Sequence, residues 1–229
     1  MTWGIIGALD TEVALIKKKM QVRETKTIMG CEYYIGTIGS QEVVTVCCSI
    51  GKINAAICTN TIIRELGADV VINIGVAGAL HPSLKILDVV ISENVILHDA
   101  DLHILKNYYP FREDYKADPK LIELCRNACE RIENRSFQVH TGRIASGDRF
   151  IEDKAVKADI IERFSPWCVE MEGASVGQVA YMNDTPFLII RSISDNADDG
   201  AYEVYDNFVD LAAHNSAQIV LNMMALYTE

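Results

Sequence analysis

The chain is short of positive charge, of long apolar runs and of a pairable set of cysteines. Lysine and arginine total 21 against 32 aspartates and glutamates, a formal net charge of −11. Binding nucleic acid takes a basic stripe that neutralises phosphates, and none runs along this sequence, so a nucleic-acid binder is excluded. No stretch approaches 18 consecutive apolar residues, so no membrane-spanning helix, and no membrane partner, is expected. The first apolar run ends at Ala8 and meets Asp10 and Glu12 rather than a small-residue cleavage site, so no secretory signal is expected. Seven cysteines, an odd number at irregular spacing with Cys47 and Cys48 adjacent, make a poor disulfide framework. They read as reduced core thiols and imply a cytoplasmic setting.

What remains is an ordinary globular composition: 229 residues, 49% hydrophobic and 23% charged. That is enough to bury a substantial core, and α/β folds of this length run as one unit, so residues 1–229 are expected to form a single domain. The apolar run Trp3-Gly-Ile-Ile-Gly-Ala8 predicts a strand, and residues 10–20 carry Val13, Ile16 and Met20 at helical spacing. Residues 31–38 and 42–50 are β-rich and joined through Gly39-Ser40, the pattern of a hairpin. Residues 52–66 read as a helix stopped by Gly67. Residues 69–75 form a continuous apolar run, as in a strand buried on both faces, followed by a small-residue turn, Gly75-Val-Ala-Gly-Ala79.

Beyond this turn, residues 86–97 predict a strand, 98–119 a polar excursion and 119–133 a helix. From Phe137 the order repeats: strand to Ser146, helix 153–164, strand 168–171, helix from Gly173, strand 187–193, and a long last helix from about Asn207. Strands alternating with helices predict a mostly parallel or mixed sheet covered on both faces.

Three carboxylates follow predicted strands: Glu12, Glu172 in Val169-Glu-Met-Glu-Gly-Ala174, and Asp195 after Phe187-Leu-Ile-Ile-Arg-Ser-Ile-Ser194. Strand ends line one edge of an α/β sheet, so distant acids meet in one crevice there, which points to proton chemistry. Each has a plainer reading. Asp195 serves equally well as a helix N-cap, and Glu12 and Glu172 as first-turn acids favoured by the helix dipole.

Other patterns carry less. Gly4-Ile-Ile-Gly7 lacks the third glycine of a dinucleotide fingerprint, and Gly51-Lys52 lacks both the upstream glycine and the following hydroxyl of a phosphate loop. In His98-Asp-Ala-Asp-Leu-His103, alternate residues point opposite ways, which argues against four metal ligands converging. Cys125 and Cys129 sit one helical turn apart and read as residues near the core.

Gly4-Ile-Ile-Gly-Ala8 with Glu12, Ser49-Ile-Gly-Lys52, Asn73-Ile-Gly-Val-Ala-Gly78, His98-Asp-Ala-Asp101, Ser146-Gly-Asp-Arg-Phe-Ile151, Val169-Glu-Met-Glu172 and Arg191-Ser-Ile-Ser-Asp195 occur in this order across most of the chain. Through them the sequence closely resembles the 5′-methylthioadenosine/S-adenosylhomocysteine nucleosidases of the purine nucleoside phosphorylase superfamily. The resemblance implies a three-layer sandwich, with a central twisted mixed β-sheet flanked by helices. It also implies hydrolysis of an N-glycosidic bond that releases adenine from a 5′-thio-substituted ribose, with no cofactor and no metal. The partners implied are small 5′-thioadenosine nucleosides and a second copy of the chain, in a homodimer whose neighbouring subunit completes the pocket.

An N-glycosidic bond of this kind breaks through a sugar cation, so charge on the leaving base must be neutralised, the ribose cation stabilised and water delivered. Carried over residue by residue, the resemblance makes Asp195 the general acid toward adenine N7 and Glu12 the base for water. Glu172 holds the ribose hydroxyls and stabilises the oxocarbenium ion. It has Arg191 orient the water and the acids, and Ser194 support Asp195. Phe150 stacks on the purine, and backbone groups of Ile151 read its edge. Val76, Ala77, Gly78, Glu170 and Met171 adjoin the ribose and water, and Tyr205, Leu102 and Leu105 line the 5′-thio pocket. Val76 departs from well-known bacterial members, which have a serine there, leaving the water one side-chain partner fewer.

A phosphorylase on the same fold needs cations at the first glycine loop, which here reads Ala8-Leu-Asp-Thr-Glu12 and would repel phosphate. A nonenzymatic nucleoside sensor could lose Glu12 or Asp195 while keeping Phe150 and Glu172, and all four are present. Sequence favours a hydrolase over both.

Overall fold

A computed structural model of the chain describes residues 1–133 and 135–227. In chain order the elements are β1 (Thr2–Gly7), α1 (Asp10–Lys19), β2 (Gln21–Ile28), β3 (Cys31–Ile38), β4 (Gln41–Cys47), α2 (Lys52–Arg64), β5 (Val70–Ala79), β6 (Val89–Leu97), α3 (Leu102–Asn107), β7 (Asp114–Lys116), α4 (Pro119–Glu130), β8 (Val139–Ser146), α5 (Lys154–Phe164), β9 (Cys168–Glu170), α6 (Gly173–Met182), β10 (Phe187–Asp195) and α7 (Ala201–Leu226). One mixed sheet runs β10-β6-β8-β9-β5-β1-β4-β3-β2, and β10 also pairs β5. That extra pairing closes five strands into a ring, from which β1, β4, β3 and β2 extend as an open sheet.

Helices α1, α4 and α7 pack together on one side, with α7 against β10 and β5; α2 and α6 pack together on the other. This is the expected three-layer, mixed-sheet architecture, with half of its sheet rolled up. The core follows from the apolar runs: Ile5, Ile6, Val70–Ile72, Ile74, Val89–Ile91 and Leu188–Ile190 are all buried. Local caps set several helix starts. Asp118 accepts from Lys120 and Leu121 ahead of α4, with Pro119 in the first turn, and Asp153 does the same for α5. No helix among the described residues is long and apolar enough to cross a membrane.

Five departures from the sequence expectation matter. Strand β2, for which the sequence pattern gives no expectation, carries Gln-Val-Arg-Glu-Thr-Lys-Thr-Ile and lies almost wholly exposed at the sheet edge, so it offers no buried alternation to detect. Residues 75–79 are not a turn: β5 runs straight through them, because β10 on one side and β9 on the other pair with that stretch. The 98–119 excursion contains α3 and β7, and α7 begins at Ala201 rather than near Asn207. Helix α4 ends at Glu130, three residues short of 133.

Strand direction also differs. β1, β4, β5 and β10 run parallel, while β9 is antiparallel to β5 and carries β8 and β6 with it. The acids therefore do not all come from one edge of a parallel sheet. Val169 pairs Gly78, so the chain leaving β9 travels back along β5 and reaches the region of Gly75, against which Arg191 of β10 is also paired.

Ile72 sits fully buried in the centre of this arrangement and Val22 on the exposed edge. Ile72→Ala is expected to cost about 2–5 kcal/mol in urea unfolding, and Val22→Ala less than about 1 kcal/mol, with the denaturant slope unchanged in both.

Candidate active site

Glu12 occupies the third position of α1 and is buried. One carboxylate oxygen accepts the Ala8 and Leu9 N–H groups at 2.6 and 3.0 Å, and the other accepts the Val76 N–H at 3.1 Å. The helix-capping role and a place beside β5 are thus both real. Burial raises its pKa above the usual carboxylate value, partly opposed by the Arg191 charge and these three N–H donors.

Arg191, on β10 and fully buried, is held by Glu170. Its Nε donates to Glu170 Oε2 at 3.1 Å, Nη2 makes a very short contact to the same oxygen, and Nη2 also donates to Asn73 Oδ1 at 2.6 Å. Burial works against the guanidinium charge, but the Glu170, Glu172 and Glu12 carboxylates outweigh it and hold the pKa above its ordinary value. Glu170 is further occupied by the Ser146 hydroxyl and by the Glu172 and Gly173 N–H groups at 3.0 and 2.8 Å. The Ser146 oxygen in turn accepts the Ala174 N–H at 2.7 Å. The first amides of α6 are therefore satisfied by Glu170 and Ser146, and Glu172, the N-cap residue, makes no side-chain cap bond.

The freed Glu172 carboxylate accepts the Gly51 N–H at 2.8 Å and lies 3.6 Å from Arg191. Burial and then the Glu170 charge push its pKa up to about 8. Glu170 and Glu172 do not share one strand face as an extended chain would place them, because the backbone has left the β region at Glu172, with φ −133° and ψ −40°.

Asp195 ends β10 one residue after a register shift against β5, where Ile193 pairs Ala77 and Asp195 pairs Gly78. Such a bulge inserts one residue, here Ser194, and re-aims the next side chain. Asp195 is no helix N-cap, since α7 starts six residues later behind Gly200. Its carboxylate accepts the Ser194 hydroxyl at 2.8 Å and the Ala197 N–H at 2.8 Å. Burial raises its pKa, opposed by those two hydrogen bonds.

Glu12, Glu172 and Asp195 face one cavity of about 340 Å³, within the size range of small-molecule sites. Val76, Ala77, Gly78, Phe150, Glu170, Met171, Ser194 and Tyr205 line it as well. Ile151 borders a small cleft adjoining it, shared with Phe150, Met171 and Asp195. Arg191 lies beneath the acids rather than in the wall. Leu102 and Leu105 do not reach this cavity within the chain: Leu102 lines a separate open hollow with His98 and Arg163, and Leu105 packs toward the core.

Tyr202 and Ile50 were missed by sequence reasoning. Tyr202 lies 4.5 Å from Phe150 between ring centroids, with Tyr205 5.7 Å from the same ring, so three aromatics cluster at the mouth. The pair Tyr202 and Tyr205 at helical i, i+3 spacing is the signal the sequence offers, and it lies ahead of the start near Asn207 expected for α7. In the stretch His98–His103, Asp99 pairs with Lys52 and Asp101 caps α3. Cys125 is buried in α4, one turn from Cys129.

Two outcomes follow from this geometry. A β-carbon on Gly75 would overlap both the Arg191 guanidinium and the Glu12 carboxylate, so Gly75→Ala is expected to lower turnover at least tenfold and to destabilise the fold by about 1–3 kcal/mol. For Glu172 the folded-state pKa lies above the unfolded one, so the folded protein holds a proton that the unfolded chain has lost. Its stabilising contribution is present below about 4.5 and is lost as pH rises toward about 8. Glu172→Gln should flatten that part of the stability–pH curve in denaturation at pH 5, 6, 7 and 8, by at most about 1.4 kcal/mol per pH unit.

Comparison with known proteins agrees over the full length. A model of the phosphorylase superfamily matches residues 2–225. A 5′-methylthioadenosine/S-adenosylhomocysteine nucleosidase of Oceanobacillus iheyensis is 38% identical, with 98% of this chain and 99% of that protein covered. Among solved structures, the Neisseria meningitidis nucleosidase in complex with methylthio-immucillin-A is 36% identical with a TM-score of 0.92, covering 97% and 98% of the two chains. The Colwellia psychrerythraea nucleosidase in complex with adenine is 33% identical with a TM-score of 0.93, covering 98% and 95%. With buried acids gathered at one cavity and relatives matched from end to end, the chain belongs to the phosphorylase superfamily and, within it, to the 5′-methylthioadenosine/S-adenosylhomocysteine nucleosidase family.

Proposed function

We propose that the protein hydrolyses the N-glycosidic bond of 5′-methylthioadenosine and S-adenosylhomocysteine, releasing adenine and the 5′-thio-substituted ribose. The observation that carries this reading is the meeting of Glu12, Glu172 and Asp195 around one cavity flanked by Phe150. Asp195 is the general acid. Burial lifts its pKa, which favours the protonated form needed to place a proton on adenine N7 as the bond to C1′ lengthens, and the base leaves as a neutral molecule. Ser194 fixes the orientation of the carboxyl group.

Phe150 stacks on the purine, and the Ile151 backbone reads its edge. Glu172, released from capping duty, receives the ribose hydroxyls, and its proximity to the sugar favours the oxocarbenium ion as charge develops. Met171, Ala77 and Gly78 adjoin the ribose. Glu12 accepts a proton from the attacking water, whose oxygen then bonds C1′. Arg191 acts through the carboxylates: it orders Glu12 and Glu172 from below. The Val76 N–H already engages Glu12, so the apolar Val76 side chain leaves water to be held by the acid.

Glu170 is a positioning residue in this scheme, because its carboxylate is committed to Arg191, Ser146 and the α6 amides. Water rather than phosphate is the nucleophile. Among the described residues lining the cavity stand four acidic side chains and no lysine or arginine, so the wall offers a phosphate dianion no cation to hold it.

Tyr205 borders the 5′ end. Leu102 and Leu105 belong to a segment that continues into exposed Ile104, Tyr108, Tyr109 and Phe111, and we assign that segment to closing the 5′-thio pocket of a second subunit in a homodimer. The seven cysteines are all free, which supports a reducing, cytoplasmic setting.

The test is adenine release from methylthioadenosine in phosphate-free buffer and again with phosphate, with the sugar product identified. Free methylthioribose at an unchanged rate is expected; a sugar 1-phosphate formed only with phosphate present would overturn the hydrolytic reading. Asp195→Asn should lower kcat by about a thousandfold or more while a nonhydrolysable analogue still binds within about fivefold, since the amide hydrogen-bonds N7 but supplies no proton.

A further inference from the structure

Outside the acid cluster, three charged side chains tie together the two walls of the cavity. Lys52, the first residue of α2, donates its Nζ to both oxygens of Asp99 at 2.6 and 2.7 Å and lies 3.4 Å from Asp148 Oδ2. The Lys52 N–H donates to Asp148 Oδ1 at 3.0 Å, and the Asp148 N–H donates to Asp99 Oδ2 at 2.9 Å. Burial alone would raise the Asp99 pKa. The Lys52 hydrogen bonds, the Asp148 N–H and the Lys52 charge overcome that and hold it below the usual value.

What these residues adjoin gives the network its meaning. Gly51, immediately before Lys52, has φ +104° and donates its N–H to Glu172, the ribose-facing acid. Asp148 stands two residues before Phe150, the base-stacking ring. Asp99 follows His98, whose ring packs so closely under Gly147 that a β-carbon there would overlap it. Asp99 thus projects from the end of β6 and grips both the start of α2 and the loop after β8. The pair lies at the surface, with the Lys52 and Asp99 side chains 21% and 27% exposed, so it is partly withdrawn from solvent and only partly screened.

We propose that Lys52, Asp99 and Asp148 form a positioning clasp that sets the gap between the adenine-stacking loop and the ribose-anchoring Gly51–Glu172 contact, and so determines affinity for the nucleoside. This rests on the functional reading above. The clasp touches no reacting atom. It acts by holding Phe150 and Glu172 at one spacing, so it favours ground state and transition state alike, and its loss appears chiefly in KM.

Lys52→Met and Asp99→Asn are to be compared with Lys52→Arg, at a temperature well below each variant's melting point. Expected are a KM for methylthioadenosine raised about tenfold or more, kcat changed less than about threefold, and adenine weakened in parallel as a product inhibitor. Lys52→Arg keeps the charge and should stay within about threefold of wild type. Hydrogen exchange at the amides of residues 51, 52 and 148 should quicken about tenfold in Lys52→Met.

Values of kcat/KM within twofold of wild type in both Lys52→Met and Asp99→Asn would overturn the clasp. So would a loss confined to kcat with adenine affinity unchanged, or a Lys52→Arg variant as impaired as Lys52→Met. A wild-type protein that cleaves no 5′-thioadenosine would instead overturn the functional reading. The clasp is then decided by exchange at those three amides, and unchanged exchange would end it too.

Discussion

The buried pair of Arg191 and Glu170 is the interaction on which the rest of the site depends. A guanidinium fully withdrawn from water costs several kcal/mol unless its charge and donors are met. Here Glu170 and Asn73 meet them, from β9 and β5, while Arg191 itself comes from β10. Three strands of the closed ring are thereby joined at one level, directly beneath the cavity. Removing either partner would leave an unpaired charge in the core, a loss of about 3–5 kcal/mol.

That pair also explains why Glu172 is available. Helix α6 begins beside the cavity with its first amides lacking intrahelical partners, and an ordinary N-cap would spend its own side chain on them. Glu170 and the Ser146 hydroxyl take those amides instead. Glu172 keeps a carboxyl group facing the cavity, where burial, and then the charge of Glu170 nearby, raises its pKa. One carboxylate saturated with partners thus sets the place of another and adds to the rise in its pKa.

Much of the architecture was legible because it is local. Buried strands such as β5 and β10 announce themselves by continuous apolar runs, and helices such as α2 and α4 by spacing and caps. β2 was not, since an exposed edge strand is selected for charge rather than for alternation. Nor was the true extent of β5: Gly75-Val-Ala-Gly-Ala79 looks like a turn because it is small, and it is small because Arg191, Glu12 and Ala197 crowd against its glycines. The composition reports a packing demand that only the neighbouring strands reveal.

The sequence by itself determined the family, through blocks of residues in a characteristic order, and with it the acids Glu12, Glu172 and Asp195. It also determined the three-layer class, because alternating strand and helix patterns admit few others. Tertiary structure alone decided how those acids meet. β9 runs against β5, so Glu172 arrives from the opposite direction to Asp195, and a bulge at Ser194 turns Asp195 into the same space. Strand direction, register and the pairing of buried charges are relations between segments far apart in the chain. Local pattern cannot encode them, because they are fixed only when hydrogen bonds and desolvated charges are satisfied together.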